Sequence, residues 1–241
     1  MTEPVATTLP WATRGQELFE QAVSALSDAD FAAPSRLPGW TNAHIVAHVA
    51  ANADALGNLA SWALTGVETP MYSSTDQRNA DIERLSQEAP TALRSLTVER
   101  GAVLLGRLRE LPDADWRAPV RTAQGREVPA SEVPWMRCRE VFVHAVDLAP
   151  GREFATLPAD FLTALIADIA AQRSAKAPDG ASRVTLSVDD GAVVTAPVAE
   201  DQTAAEVSGD VAAVAAYLAG RGTSGLRVDG GGAVLDLGPW L

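Results

Sequence analysis

Apolar side chains recur every three to four positions along most of the first half of the chain and alternate only in short stretches further on. Over residues 13–26, Leu18, Phe19, Ala22, Val23 and Leu26 keep helical spacing, with Thr13 placed to cap the start and Glu17 near the reciprocal position. Pro38-Gly39 interrupts the pattern. Thr41 then predicts the N-cap of a long helix that runs to Leu64 and ends at Thr65-Gly66, where glycine takes a left-handed cap at little cost. A shorter helix is predicted within residues 74–87. Another starts near Thr91, after Pro90, and reaches Glu110 on Leu93, Leu96, Val103, Leu104 and Leu108. Residues 118–130 break the period: Val120-Arg121-Thr122, Gln124-Gly125 and Glu127-Val128 read as a small hairpin turning at the glycine. Ser131 caps a further predicted helix to Leu148, with Pro134 in its first turn, where amides lack intrahelical partners anyway.

Beyond Pro150-Gly151 the texture changes. A helix over residues 158–176 precedes Arg183–Val188, where Val184, Leu186 and Val188 alternate as in a half-buried strand. Asp189-Asp190-Gly191 makes a turn and residues 192–198 a returning strand. Ala205-Glu206-Val207 then leads into a helix from Ser208 to Leu218 and a glycine-laden tail ending in Val234–Leu237. The pattern predicts an α+β protein: an N-terminal antiparallel four-helix bundle over residues 1–152 and a smaller α+β domain over residues 153–241.

Composition narrows the partners. Asp and Glu number 31 against 19 Lys and Arg, a formal charge of −12, which argues against nucleic acid and anionic membranes because phosphate binding needs concentrated cations. No run of apolar residues is long enough to span a bilayer, and Met1-Thr2-Glu3-Pro4 lacks the basic start and apolar run of a secretory signal. A cytoplasmic monomer is expected. The single cysteine, Cys138, makes neither an internal disulfide nor a cysteine-rich zinc site.

The three histidines carry the candidate chemistry. His44 and His48 stand four apart on one helix and share a face, and His144 follows Glu140 by four on another. Bundle proteins build metal sites from inward-facing side chains of two helices. Two imidazoles and a carboxylate suit zinc or another divalent first-row ion and leave a position open for water or substrate. A hydrogen-bonded core histidine and a surface Glu–His pair are the plainer alternatives. Against them, all three histidines fall in two apolar-patterned helices, and Glu140 precedes Val141-Phe142-Val143, where an unpaired carboxylate is costly.

Several blocks resemble one family. Leu37-Pro38-Gly39-Trp40-Thr41, His44-Ile45-Val46-Ala47-His48-Val49-Ala50 and Thr69-Pro70-Met71-Tyr72 are similar to segments of mycothiol-dependent maleylpyruvate isomerases. So are Thr122-Ala123-Gln124-Gly125-Arg126, Val128-Pro129-Ala130-Ser131-Glu132, the stretch from Arg139 to Leu148, Ala219-Gly220-Arg221-Gly222 and the closing Trp240-Leu241, with the spacing between blocks kept. The resemblance implies a DinB-like metal-binding bundle followed by a domain resembling sterol carrier proteins. It implies a cis–trans isomerase that converts maleylpyruvate to fumarylpyruvate in the gentisate branch of aromatic breakdown, with mycothiol as cofactor. In that chemistry a metal-held thiolate adds to the alkene, the bond rotates, and the thiol is expelled. The family's zinc ligands fall on His48, Glu140 and His144, which leaves His44 as a packed or supporting residue.

The substrate's carboxylates and the developing enolate call for arginine, whose planar fork matches them. Arg221, in a glycine-flanked loop and a family block, is the first candidate; Arg137, three residues before Glu140, is the second; Arg78 and Arg139 follow, with Arg78 assigned to the cofactor. Asn52, one turn beyond His48, is placed to orient a ligand or contact the thiol, and Cys138 is not expected to react. The partners expected are thus a small-molecule substrate and a low-molecular-weight thiol. Competing readings are a mycothiol S-transferase acting on another electrophile, a non-catalytic small-ligand-binding module, and a metal-dependent hydrolase.

Overall fold

Helices dominate the first part of the chain for reasons visible at their ends. The computed structural model describes residues 3–149, 152–189, 191–198, 205–238 and 240. It divides into two compact units, Thr2–Arg152 and Glu153–Leu241. In the first, α1 (Val5–Ala25), α2 (Asn42–Thr65), α3 (Thr75–Ser86) and α4 (Pro90–Glu110) precede a hairpin of β1 (Pro119–Arg121) and β2 (Glu127–Pro129), and α5 (Val133–Asp147) closes the unit. Thr41 caps α2 by accepting from the His44 amide, and Gly66 ends it in the left-handed region at φ 70°. Ser74 caps α3, and Pro90 opens α4 in the first turn, where its missing N–H costs nothing.

Two starts differ from the sequence pattern. Helix α1 begins at Val5, not Thr13; the Thr13 hydroxyl donates to the Leu9 carbonyl inside the helix. The face that α1 buries there is made of Thr8, Ala12, Gly15 and Gln16, so it carries no apolar period, and Pro10 within it reads as a breaker. Helix α5 begins at Val133 after a 3-10 turn over Ala130–Glu132, without a Ser131 cap.

Helix α1 packs on α5 and α4, and α2 packs on α4 and α5, so these four form the bundle, with α3 laid against α2. Phe19, Val23, Ile45, Val49, Leu93 and Val141 fill one end of the core, and Leu56, Leu59, Leu104 and Leu108 the other. The hairpin, turning at Gly125 with φ 80°, adds Val120 and Val128 to the second cluster. Gly15 lets α1 and α5 approach closely, since a Cβ there falls 2.5 Å from Val141 Cγ2.

In the second unit α6 (Ala159–Lys176) precedes β3 (Arg183–Val188), β4 (Val193–Pro197), β5 (Ala205–Gly209), α7 (Val211–Leu218) and β6 (Arg227–Val228). The sheet order is β4-β3-β5-β6, with β3 and β5 parallel and the outer pairs antiparallel. Val184, Leu186 and Val188 alternate into the core as the pattern predicts. The helix expected from Ser208 begins three residues later: Ser208 belongs to β5, paired with Ser187 and Arg227, and Asp210 caps α7 by accepting from the Ala213 amide at 2.7 Å. The turn expected at Asp190 and the boundary at Pro150-Gly151 lie outside the described residues.

Candidate metal centre

Helices α2 and α5 cross the bundle side by side and bring His48, Glu140 and His144 together. One ligand-capable atom of each lies within 4.8 Å of the other two, and among the described residues this is the group that meets such a criterion. His48 Nε2 stands 2.9 Å from Glu140 Oε2, and His144 Nε2 stands 3.3 Å from the same oxygen. His144 Nδ1 faces Asp147 Oδ2 at 2.8 Å, and Asp147 is fully buried. Trp40 sets its ring edge-on to His48, at a centroid distance of 5.5 Å.

Hydrogen-bond partners fix the proton positions. The Arg78 guanidinium lies 3.3 Å from His48 Nδ1 and can only donate, so Nδ1 accepts and the His48 proton sits on Nε2, pointing at Glu140. Burial lowers the His48 pKa, an effect that Glu140 opposes and that the charges of His144 and Arg78 reinforce, which leaves this ring neutral. His144 is the opposite case. Burial pulls its pKa down, but bonds to Asp147 and Glu140 outweigh it and raise the value to about 9, so both ring nitrogens carry protons. Glu140 is pushed up by burial and pulled down more strongly by the two imidazoles, ending well below the usual carboxylate range.

The donor set fits a divalent first-row cation. Two imidazole nitrogens and one carboxylate oxygen converge from two helices, and Asp147 fixes one imidazole through its far nitrogen, the arrangement by which a carboxylate orients a metal-bound histidine. A protonated His144 supplies, in part, the positive charge that such an ion brings.

The other expected residues fall into three places. His44 stays out of the cluster: its Nδ1 lies 2.7 Å from the Thr41 hydroxyl and 3.3 Å from the Thr41 amide, completing the cap of α2, and its Nε2 meets Glu83 at 3.2 Å. Arg137 and Asn52 are bonded to each other in the core. The Arg137 side chain is 1% exposed, and it donates to Val49 O at 2.8 Å, Asn52 Oδ1 at 2.9 Å and Gln16 Oε1 at 2.7 Å. Burial brings its pKa down to about 10, and its Nε is the buried side-chain nitrogen without a partner among the described residues. Cys138 is buried, donates to Thr8 O at 3.3 Å and has its pKa raised by burial, so it is no nucleophile. Arg221 belongs to the second unit, in the loop after α7, where Gly220 has φ 70° and the guanidinium donates to Ala219 O at 2.7 Å.

One residue escaped the sequence reading as a site candidate. Tyr72, between α2 and α3, lies under the Arg78 guanidinium at 5.8 Å, and burial, then the charge of Glu140, raises its pKa. The block Thr69-Pro70-Met71-Tyr72 marks the place, but neither spacing nor composition there points to the cluster.

A candidate metal centre on a helical bundle, followed by a small mixed-sheet unit, is the class that fold and site define. Residues 13–149 match the mycothiol maleylpyruvate isomerase N-terminal domain, and residues 156–239 match the MDMPI C-terminal domain. The chain belongs to the mycothiol maleylpyruvate isomerase family. It is similar to the crystal structure of mycothiol-dependent maleylpyruvate isomerase, at TM-score 0.88 and 39% identity over 98% of this chain and 99% of that one. A histidine-to-alanine mutant of a mycothiol-dependent maleylpyruvate isomerase matches with the same values. YfiT from Bacillus subtilis, described as a probable metal-dependent hydrolase with an unusual four-helix bundle topology, shares the fold at TM-score 0.51 and 16% identity, covering 61% of this chain and 84% of its own. Comparison with curated proteins gave no match. No described helix is long and apolar enough to cross a membrane.

Proposed function

We propose that this protein is a mycothiol-dependent cis–trans isomerase that converts maleylpyruvate to fumarylpyruvate, with zinc held by His48, Glu140 and His144. The observation that carries this reading is the convergence of those three donors within 4.8 Å in a member of this family. When bound, metal and mycothiol together supply a thiolate nucleophile at neutral pH, and its reversible addition lets the conjugated bond rotate.

The residues of the chain have separate tasks. Asp147 holds His144 through Nδ1 and leaves Nε2 for the metal. A His48 that held a metal through Nε2 would carry its proton on Nδ1, the nitrogen that faces Arg78. We assign the Arg78 guanidinium, 3.3 Å from His48 Nδ1, to an anionic or carbonyl oxygen of the cofactor or its adduct. Arg221 is assigned to a substrate carboxylate. Arg137 and Asn52, whose polar atoms bond within the core, are assigned to holding α2 and α5 in register, not to touching substrate or thiol.

The test is to purify the chain, measure bound metal, and follow maleylpyruvate isomerisation with and without mycothiol. His48→Ala is expected to lose metal and activity together. Turnover that needs no thiol, or full metal content and activity in His48→Ala, overturns the reading. Arg221→Ala is expected to keep its metal and lose most of kcat; unchanged kcat removes Arg221 from the site.

A further inference from the structure

Arg173, near the end of α6, is half-buried and directs its guanidinium to main-chain carbonyls. Nε and Nη2 donate to Leu218 O at 3.1 and 3.0 Å, Nη1 donates to Leu237 O at 2.6 Å, and Nη2 also reaches Gly238 O at 2.9 Å. Leu218 ends α7, where the last carbonyls have no partner inside the helix, so a cation there satisfies a bare acceptor and complements the helix dipole. The segment Leu235–Gly238 is joined to the same point. The buried Tyr217 donates its hydroxyl proton to Leu235 O at 2.7 Å, and the Asp236 carboxylate accepts the Gly238 amide at 2.8 Å.

The loop that carries Arg221 starts at this clamp. The Gly220 amide bonds Tyr217 O at 3.0 Å and the Arg221 amide bonds Ala216 O at 2.8 Å, with Gly220 in the left-handed region at φ 70°. These are the two bonds of a glycine-terminated helix end, and they tie the Arg221 main chain to α7. The far end of the loop lies against β5: a Cβ at Gly209 would fall 2.9 Å from Leu226 Cδ2 and 3.2 Å from Gly225 O. Arg221 therefore sits between two fixed points, Leu218 under Arg173 and Gly225-Leu226 against Gly209.

We propose that Arg173 is a positioning residue for the reaction: by clamping Leu218 to the segment Leu235–Gly238 it fixes the main chain from which Arg221 meets a substrate carboxylate. The proposal rests on the assignment of Arg221 made above. Arg173 has its donors committed to carbonyls and acts through Arg221, and a misplacement of about 1 Å at a charge that must meet its substrate can cost on the order of a hundredfold in rate.

Arg173→Met removes the clamp and keeps the aliphatic stem. In the zinc-loaded full chain with mycothiol it is expected to lower kcat for maleylpyruvate about tenfold, with metal content and KM for mycothiol unchanged. Added to Arg221→Ala it is expected to have no further effect, because a residue that acts through Arg221 then has nothing to act on. Gly209→Ala, which presses on the loop from its other end and leaves the Arg173 bonds in place, is expected to show the same dependence on Arg221. Arg173→Lys, a charge without the planar fork, is expected to fall between Arg173→Met and wild type. Amide hydrogen exchange gives a readout that needs no turnover: the Gly220 and Arg221 amides are expected to exchange about tenfold faster in Arg173→Met, with the amides of β3 unchanged. Unchanged exchange at those two amides overturns the clamp. A loss of kcat that persists in the Arg221→Ala background, or faster exchange throughout β3, makes Arg173 a general stabiliser and overturns the positioning role. Faster exchange at Gly220 and Arg221 in a chain that does not isomerise maleylpyruvate overturns the isomerase reading, and the role in the reaction with it, while keeping the clamp.

Discussion

Glu140 is a carboxylate followed at once by Val141, Phe142 and Val143, and it is tolerable there because two imidazoles share one of its oxygens. One of those imidazoles, His144, already carries a second proton, held between Glu140 and Asp147. Metal binding needs the neutral ring, so the ion must displace that proton. Affinity is therefore expected to rise about tenfold per pH unit between neutrality and about 9, and to level off above it. His48 and Glu140, both shifted downward, add no competing proton in that window. Competition titrations against a chelator at several pH values check this, and a flat profile would show that His144 is neutral before loading. The sign for the metal-free protein is opposite: a histidine whose folded pKa lies above its unfolded 6.5 stabilises fully below that value, and the contribution is lost as pH rises through about 9. Arg137 poses a different residue-scale question, since both its cation and its acceptors are buried. Arg137→Met leaves the Asn52 and Gln16 oxygens without their donor and is expected to cost about 3 kcal/mol in urea unfolding, with kcat per metal-loaded molecule retained. Unchanged stability with a collapsed kcat would return Arg137 to substrate contact.

At the scale of elements, the bundle depends on how closely its helices approach, and glycines set that distance. Gly101 sits inside α4, where alanine is ordinarily better by about 1 kcal/mol. A Cβ at this position falls 2.2 Å from Gln16 Nε2, and Gln16 is not free to swing: it bonds Thr97 O, Glu20 and Arg137. Gly101→Ala is accordingly expected to destabilise by about 1–2 kcal/mol despite its helical preference, read as a lower Tm. A higher Tm would mean that Gln16 gives way. The same network explains which parts of the structure the sequence carries. Helix α2 was legible to within a residue because Thr41 and Gly66 act locally, and the hairpin because Gly125 takes a positive φ. The start of α1 was not, since its buried face is written in Thr8, Gly15 and Gln16, polar or small residues whose role exists only against α5 and α4. Strand β5 was hidden likewise, because Ser208 pairs with Ser187 and Arg227 across chain distances that no local pattern spans. In the site, the spacing of Glu140 and His144 spoke directly. That of His48 and Asn52 spoke only to a shared face, and the core claimed Asn52 while the cluster claimed His48.

Over the whole molecule the formal charge of −12 gives no general attraction for an anionic substrate, so positive potential has to be local. The structure concentrates it where Arg78 and Arg121 line one cavity and where His144 is protonated, all within the unit Thr2–Arg152. All three candidate metal donors belong to that unit as well. A ligand that binds only the folded form stabilises it by about 2.7 kcal/mol at a hundredfold excess over Kd, and the gain falls on the elements that the ligand joins. Added zinc is therefore expected to slow amide hydrogen exchange in α2 and α5 of the full chain, with the amides of α6, α7 and β3 exchanging at their metal-free rates. The pattern follows from where the groups lie: His48, Glu140 and His144, which would hold the ion, belong to Thr2–Arg152, whereas Leu162, Leu165, Val184 and Leu186 are buried residues of Glu153–Leu241. Uniform protection of both units would show that they unfold as one, and protection confined to the second would remove the metal from His48, Glu140 and His144 altogether.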